Sequence, residues 1–167
     1  MRLRRLTSRP FGAFARLAAV VWLLAVAGPA FAEPGWPYSG TNVIATELSF
    51  ATLWQRLEQA VSANRMGIVS RASASRGASG RGVKIPGNAV VGVYRNDFAV
   101  RMLRASVPAG IEAPLRFYLT ENADGTATLV YRSPSAVFAP YGNPEIDAMA
   151  KELDAIFARI AADAVGK

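Results

Sequence analysis

Neither histidine nor cysteine occurs among the 167 residues, and those two absences remove more chemistry than any motif present adds. Without histidine there is no Ser-His-Asp relay, and without cysteine there is no Cys-His pair. A zinc site of the usual ligands is excluded, as is haem held by an axial histidine or thiolate. No disulfide can form, so stability has to come from an apolar core. Acid–base work would then fall on carboxylates paired in a cleft. Glu145, Asp147, Glu152 and Asp154 instead lie on one predicted helix, mostly on its polar side, with Asp147 and Lys151 spaced as an i,i+4 ion pair. That is the pattern of a solvated face. No catalytic residue, metal site or cofactor is expected.

Acidic residues are also missing from the first 32 positions, where Arg2, Arg4, Arg5, Arg9 and Arg16 precede an uncharged run from Leu17 to Ala27. Gly28-Pro29 stops that run short of the roughly 20 apolar residues that a spanning helix needs. Ala30-Phe31-Ala32 then places small residues where a signal peptidase requires them. Residues 1–32 read as a signal peptide cleaved between Ala32 and Glu33, sending the chain through general secretion to the periplasm, with membrane contact only in transit. Arg4-Arg5 lacks the preceding Ser or Thr of a twin-arginine signal.

Removing the signal changes the charge argument. The whole chain carries 19 basic and 12 acidic residues, which at first suggests nucleic acid. Five of the arginines leave with the signal, and all the acids remain. Fourteen bases against twelve acids is nearly balanced, so nucleic acid is not expected as a partner.

The 135 residues that follow are enough for one domain with its own core. Residues 33–40, EPGWPYSG, read as a flexible lead-in to a single domain over 41–165. Thr41–Leu48 alternates as a strand. Ser49 caps a helix reaching about Asn64, with Phe50, Leu53, Trp54, Leu57, Ala60 and Val61 on one stripe. Ile68–Ala72 is a second strand, and the glycine-rich 73–82 segment is expected to be a flexible loop or a poor helix. Val90–Tyr94 is a strand, followed by a helix capped at Asn96 or Asp97 and running through Ser106. Leu115–Glu121 and Thr126–Arg132 form a hairpin about Asn122-Ala123-Asp124-Gly125. Ser133-Pro134 starts one helical turn. Asn143-Pro144 opens the last helix, striped with Ile146, Met149, Ala150, Leu153, Ile156, Phe157, Ile160 and Ala161. The order β-α-β-β-α-β-β-α makes an α+β, two-layer, mainly antiparallel sheet with helices packed on one face.

A set of short motifs forms one pattern along the domain. The opening strand and helix, Gly82-Val83-Lys84-Ile85 before Val90–Tyr94, and the helix around Met102-Leu103 are part of it. Ala113-Pro114-Leu115-Arg116, the Asp124-Gly125 hairpin, and Tyr131 two residues before Ser133-Pro134 complete it. From about Val43 to Tyr141 the chain resembles the bacterial and archaeal domain-of-unknown-function family numbered 302. The resemblance implies a small α+β domain, often a homodimer, with no established activity. Many members carry Gly-Asn-Pro after the central strand, where this chain has Tyr94-Arg95-Asn96.

Charge is uneven within the domain. Between Arg65 and Arg104 eight bases face Asp97 alone. Gly77–Lys84 fails the phosphate-loop pattern, which needs Gly-Lys followed by Ser or Thr. The candidate site is therefore Tyr94, Arg95, Arg101, Arg104, Glu112 and Arg116, with arginines suited to bidentate capture of a carboxylate or phosphate. The bland alternative is a solvated or internally paired face: Asp97 with Arg101, and Arg104 with Glu112. Tyr94, Tyr118 and Tyr131 are expected on one side of the sheet around Arg116, as core or dimer contact rather than ligand platform, with a subunit interface preferred. The first functional expectation is a non-enzymatic exported module binding a small anionic ligand or acidic protein partner. The rivals are a hydrolase or isomerase using Tyr94 or Glu112, and a structural envelope protein.

Overall fold

Strand alternation and helix stripes decide the layering here. A computed structural model describes residues 35–166, so the signal segment and its cleavage site lie outside the described residues. Five strands, β1 (Thr41–Ser49), β2 (Gly67–Ala72), β3 (Asn88–Tyr94), β4 (Leu115–Glu121) and β5 (Thr126–Arg132), form one sheet ordered β1-β5-β4-β3-β2. Every neighbouring pair is antiparallel. The helices are α1 (Phe50–Ala63), α2 (Ala74–Ser79), α3 (Asn96–Ala105), α4 (Pro134–Phe138) and α5 (Pro144–Val165), with 3-10 turns at Val107–Glu112 and Ala139–Tyr141. This is an α+β fold.

The core forms where the inward residues of the strands meet the helix stripes. Ala89, Val91 and Val93 of β3, Leu115, Phe117 and Leu119 of β4, and Ala127 and Leu129 of β5 are buried against α1 and α5. Phe117 stacks on Phe157 of α5 at 4.7 Å between ring centroids. Leu53, Leu57 and Val61 of α1 and Phe157 and Ile160 of α5 are fully buried, and among the described residues no charged or polar residue is. Each of these large side chains contributes about 1.5–3 kcal/mol by leaving water.

Caps and turns follow their local chemistry. Ser49 accepts from Thr52 N at the start of α1, and Asn143 accepts from Glu145 N and Ile146 N at the start of α5. In the β4–β5 hairpin Gly125 takes φ 84°, and Asp124 Oδ1 accepts from both Thr126 N and Thr126 Oγ1. One local expectation is decided between its alternatives and one needs correction. Residues 74–79 are helical because Ser73 caps Arg76 N and anchors to Asn88 O, while Ala78 is buried. The start of α3 is Asn96, with Arg95 at the cap position and no side-chain cap bond.

Candidate functional site

Alternation that turns Val91, Phe117 and Leu129 inward turns their neighbours outward. The register lines Val90, Tyr118, Val130 and Val43 into one row across β3, β4, β5 and β1. One residue further along, beyond the Phe117–Tyr131 pair, stand Arg116 on β4 and Arg132 on β5. Arg132 in turn pairs with Thr41 on β1. Two arginines on adjacent strands thus flank one end of an apolar row. Like charges on adjacent strands are unfavourable unless something neutralises them.

The lead-in completes the site. Gly40 takes φ 71°, its carbonyl accepts from Ser133 N, and Thr41 Oγ1 donates to Tyr38 O. A Cβ at Gly40 would collide with that of Ala136. So fixed, the chain brings Trp36 edge-on to Tyr118 at 6.1 Å and Tyr38 to within 5.0 Å of the Arg132 guanidinium carbon. A cleft of about 360 Å³ results, with Val90 and Val130 among its apolar lining and Arg116, Arg132 and Glu112 at its border. That is within the range of small-molecule sites. Val130 is only 3% exposed.

Its polar groups are unequally committed. Arg132 donates from one Nη to Ala136 O, but its buried Nε has no partner. Arg116 is exposed, and among the described residues its side chain makes no hydrogen bond or ion pair. Glu112 accepts from the Tyr141 hydroxyl at 3.1 Å. Burial, with that carboxylate beside it, raises the Tyr141 pKa.

Of the six residues singled out in the sequence, only Glu112 and Arg116 line this cleft. Tyr94 and Arg95 border a separate small pocket of about 30 Å³ instead. Arg95 is held by Asp97 through Nε at 2.8 Å and Nη2 at 3.1 Å, and lies 4.2 Å over the Phe98 ring. Arg101 makes a two-pronged bond to Glu152 at 2.8 and 2.7 Å. Hydrogen bonding from these arginines lowers the pKa of Asp97 and of Glu152. Internal pairing therefore holds for two of the arginines, with different partners from those expected: Asp97 takes Arg95, not Arg101, and Glu112 takes Tyr141, not Arg104. Arg104 is exposed on α3.

The tyrosines divide as well. Tyr118 is on the open face, whereas Tyr131 shares the parity of Leu129 and lies against Phe117 and Phe157. Burial raises its pKa. Sequence reasoning missed Trp36, Tyr38 and Arg132. Two aromatics in a short Pro/Gly segment were a usable signal, as was Arg132 sharing the outward parity of Val130. It also missed a shallower groove, of about 530 Å³, where Arg65 and Arg159 join Arg95 and Glu152. Among the described residues, no three acidic side chains gather as a metal-binding cluster.

An antiparallel sheet with helices on one face and a ligand-sized cleft on the other defines the class of fold. The chain belongs to the family described as domain of unknown function DUF302, whose model matches residues 42–164. Its structure is similar to the crystal structure of an uncharacterized conserved DUF302 protein from Bacillus stearothermophilus, with a TM-score of 0.64. That likeness covers 75% of this chain and 95% of the other at 16% identity, so it speaks to fold. No curated protein matches the sequence.

Proposed function

We propose that the domain is an exported, non-enzymatic binding module that takes a small amphipathic anion in the open-face cleft. The observation that carries this reading is the pair Arg116 and Arg132 beside an apolar row, roofed by Trp36 and Tyr38. A carboxylate or phosphate would relieve the repulsion between the guanidiniums, and an aromatic or aliphatic body would cover Val90 and Tyr118. Export rests on the basic start, apolar run and small-residue cleavage pattern of residues 1–32. Absence of histidine and cysteine favours binding over catalysis. Tyr94 borders a pocket of only about 30 Å³ and the Glu112 carboxylate is engaged by the Tyr141 hydroxyl, which weakens the acid–base alternative.

The test is a melting-temperature screen of the domain from Glu33 onward against aryl carboxylates, fatty acids and sugar phosphates. At least one class should stabilise the domain, and Arg116→Ala should abolish the shift while leaving the ligand-free melting temperature unchanged. Shifts that survive Arg116→Ala and Arg132→Gln together would place binding elsewhere.

A second reading has one observation behind it. Val43, 48% exposed, extends the apolar row to the sheet edge, which suits a homodimer packed through this face. Light scattering distinguishes the two: a dimer that ligand does not dissociate, and that Val43→Asp does, would favour the interface.

A further inference from the structure

Val100, Leu103, Val107 and Ile111 are respectively 39, 45, 73 and 82% exposed. They run along α3 and the 3-10 turn that follows it, with exposed Pro108 between the last two. Leu103 Cδ2 comes within 3.0 Å of where a Cβ on Gly110 would stand, so helix and turn make one continuous ridge. The ridge is rigid at its root: Ala109 is fully buried, Ser106 N donates to Met102 O, and Ala113 N donates to Gly110 O. Aliphatic tips this exposed on a fixed backbone do not arise from core packing, and contiguous exposed apolar surface marks a contact.

The chemistry around the ridge selects the partner. From Phe98 to Ile111 there is no acidic residue, and Arg101 and Arg104 rise from the same helix. Arg101 is held by Glu152. Among the described residues Arg104 has no carboxylate within 4.0 Å, so its charge is free for an anion. A projecting tip asks a protein partner for a matching pocket, whereas a bilayer interface needs none. Aliphatic tips beside one free cation match the two terms of interfacial binding, apolar insertion and attraction to anionic headgroups.

We infer that this ridge seats the domain on an anionic lipid surface, with Val107, Pro108 and Ile111 entering the headgroup boundary and Arg104 meeting lipid phosphate. No helix of the described residues is long and apolar enough to cross a membrane, so the contact is peripheral.

Residues Trp36–Lys167 form a compact unit of their own. The test therefore uses the chain from Glu33, without the apolar run at 17–27 that would enter vesicles itself. Co-sedimentation is measured with phosphatidylcholine vesicles, pure or with roughly one third phosphatidylglycerol. The domain should partition to the mixed vesicles and not to the pure ones. Val107→Asp with Ile111→Asp should weaken partition by more than about tenfold. Arg104→Gln should weaken it about fivefold, one cationic contact's worth. Because all three positions are exposed, circular dichroism melting should match the parent. No partition to the mixed vesicles, or partition indifferent to both variants, overturns the inference. A dimer that only the double variant dissociates, with no vesicle binding, overturns it in favour of a second copy.

Discussion

The two faces of the sheet are built from the same strands and do opposite things. On the helix side, Val91, Phe117, Leu129 and their neighbours are sealed by α1 and α5, and no polar residue among those described is buried. On the other side, the intervening residues are two arginines, a tyrosine, valines and threonines, covered in part by Trp36 and Tyr38. One register thus yields a dry layer that determines stability and a mixed layer that we propose for recognition. Substitutions on the first should cost folding with no direct effect on ligand. Substitutions on the second should do the reverse.

The sharpest way to break that division is Phe157→Ala. Phe157 stacks on Phe117 at the centre of the dry layer, and its removal should cost about 3–5 kcal/mol in urea denaturation. A loss under about 1 kcal/mol would mean the helix layer is not the stabilising one. Next is Gly40→Ala, where a positive φ and the collision with Ala136 should destabilise the lead-in turn by about 1–3 kcal/mol. Trp36 fluorescence should shift as that aromatic leaves Tyr118. Asn143→Ala removes two cap bonds from α5 and one to Ala105 O, for about 1 kcal/mol. Smallest is Arg116→Ala, within about 0.5 kcal/mol in stability because the residue is exposed and unpaired.

Acid should loosen the periphery before the core. Arg71 bonding holds Glu58 below its ordinary value, as Arg95 holds Asp97 and Arg101 holds Glu152. Depressed carboxylates stabilise the folded state above their ordinary range, and that contribution is lost as pH falls through and below it. All three pairs are partly solvated, so each contributes little. At the alkaline end the sign reverses. Tyr131 and Tyr141 have raised values, and the stability they give is lost as pH climbs past the ordinary tyrosine range. Melting temperature against pH should therefore be flat between those limits.

The fold was legible because its signals are local and periodic. The α1 and α5 stripes, the Ser49 and Asn143 caps and the hairpin at Asp124-Gly125 are all fixed by residues a turn apart. The site was less legible because cross-strand register decides which distant residues meet. Arg116 and Arg132 are neighbours only because β4 and β5 pair as they do, and Tyr38 joins them only through the Gly40 turn. Arg95 and Arg101 looked available in sequence, yet Asp97 two residues on and Glu152 on another helix occupy them. Tyr131 kept the outward look of Tyr118 until strand parity put it against Phe157. Charge composition located a basic region, and only three dimensions separated spent cations from free ones.

The most direct test of the open face as the recognition face is backbone amide NMR of the domain from Glu33, titrated with the best ligand class from the thermal screen. Shifts concentrated at Val90, Arg116, Tyr118, Val130 and Arg132, with Trp36 moving in step, are the predicted result. Shifts centred instead on Arg65, Arg95 and Arg159, with the open face unmoved, would contradict it.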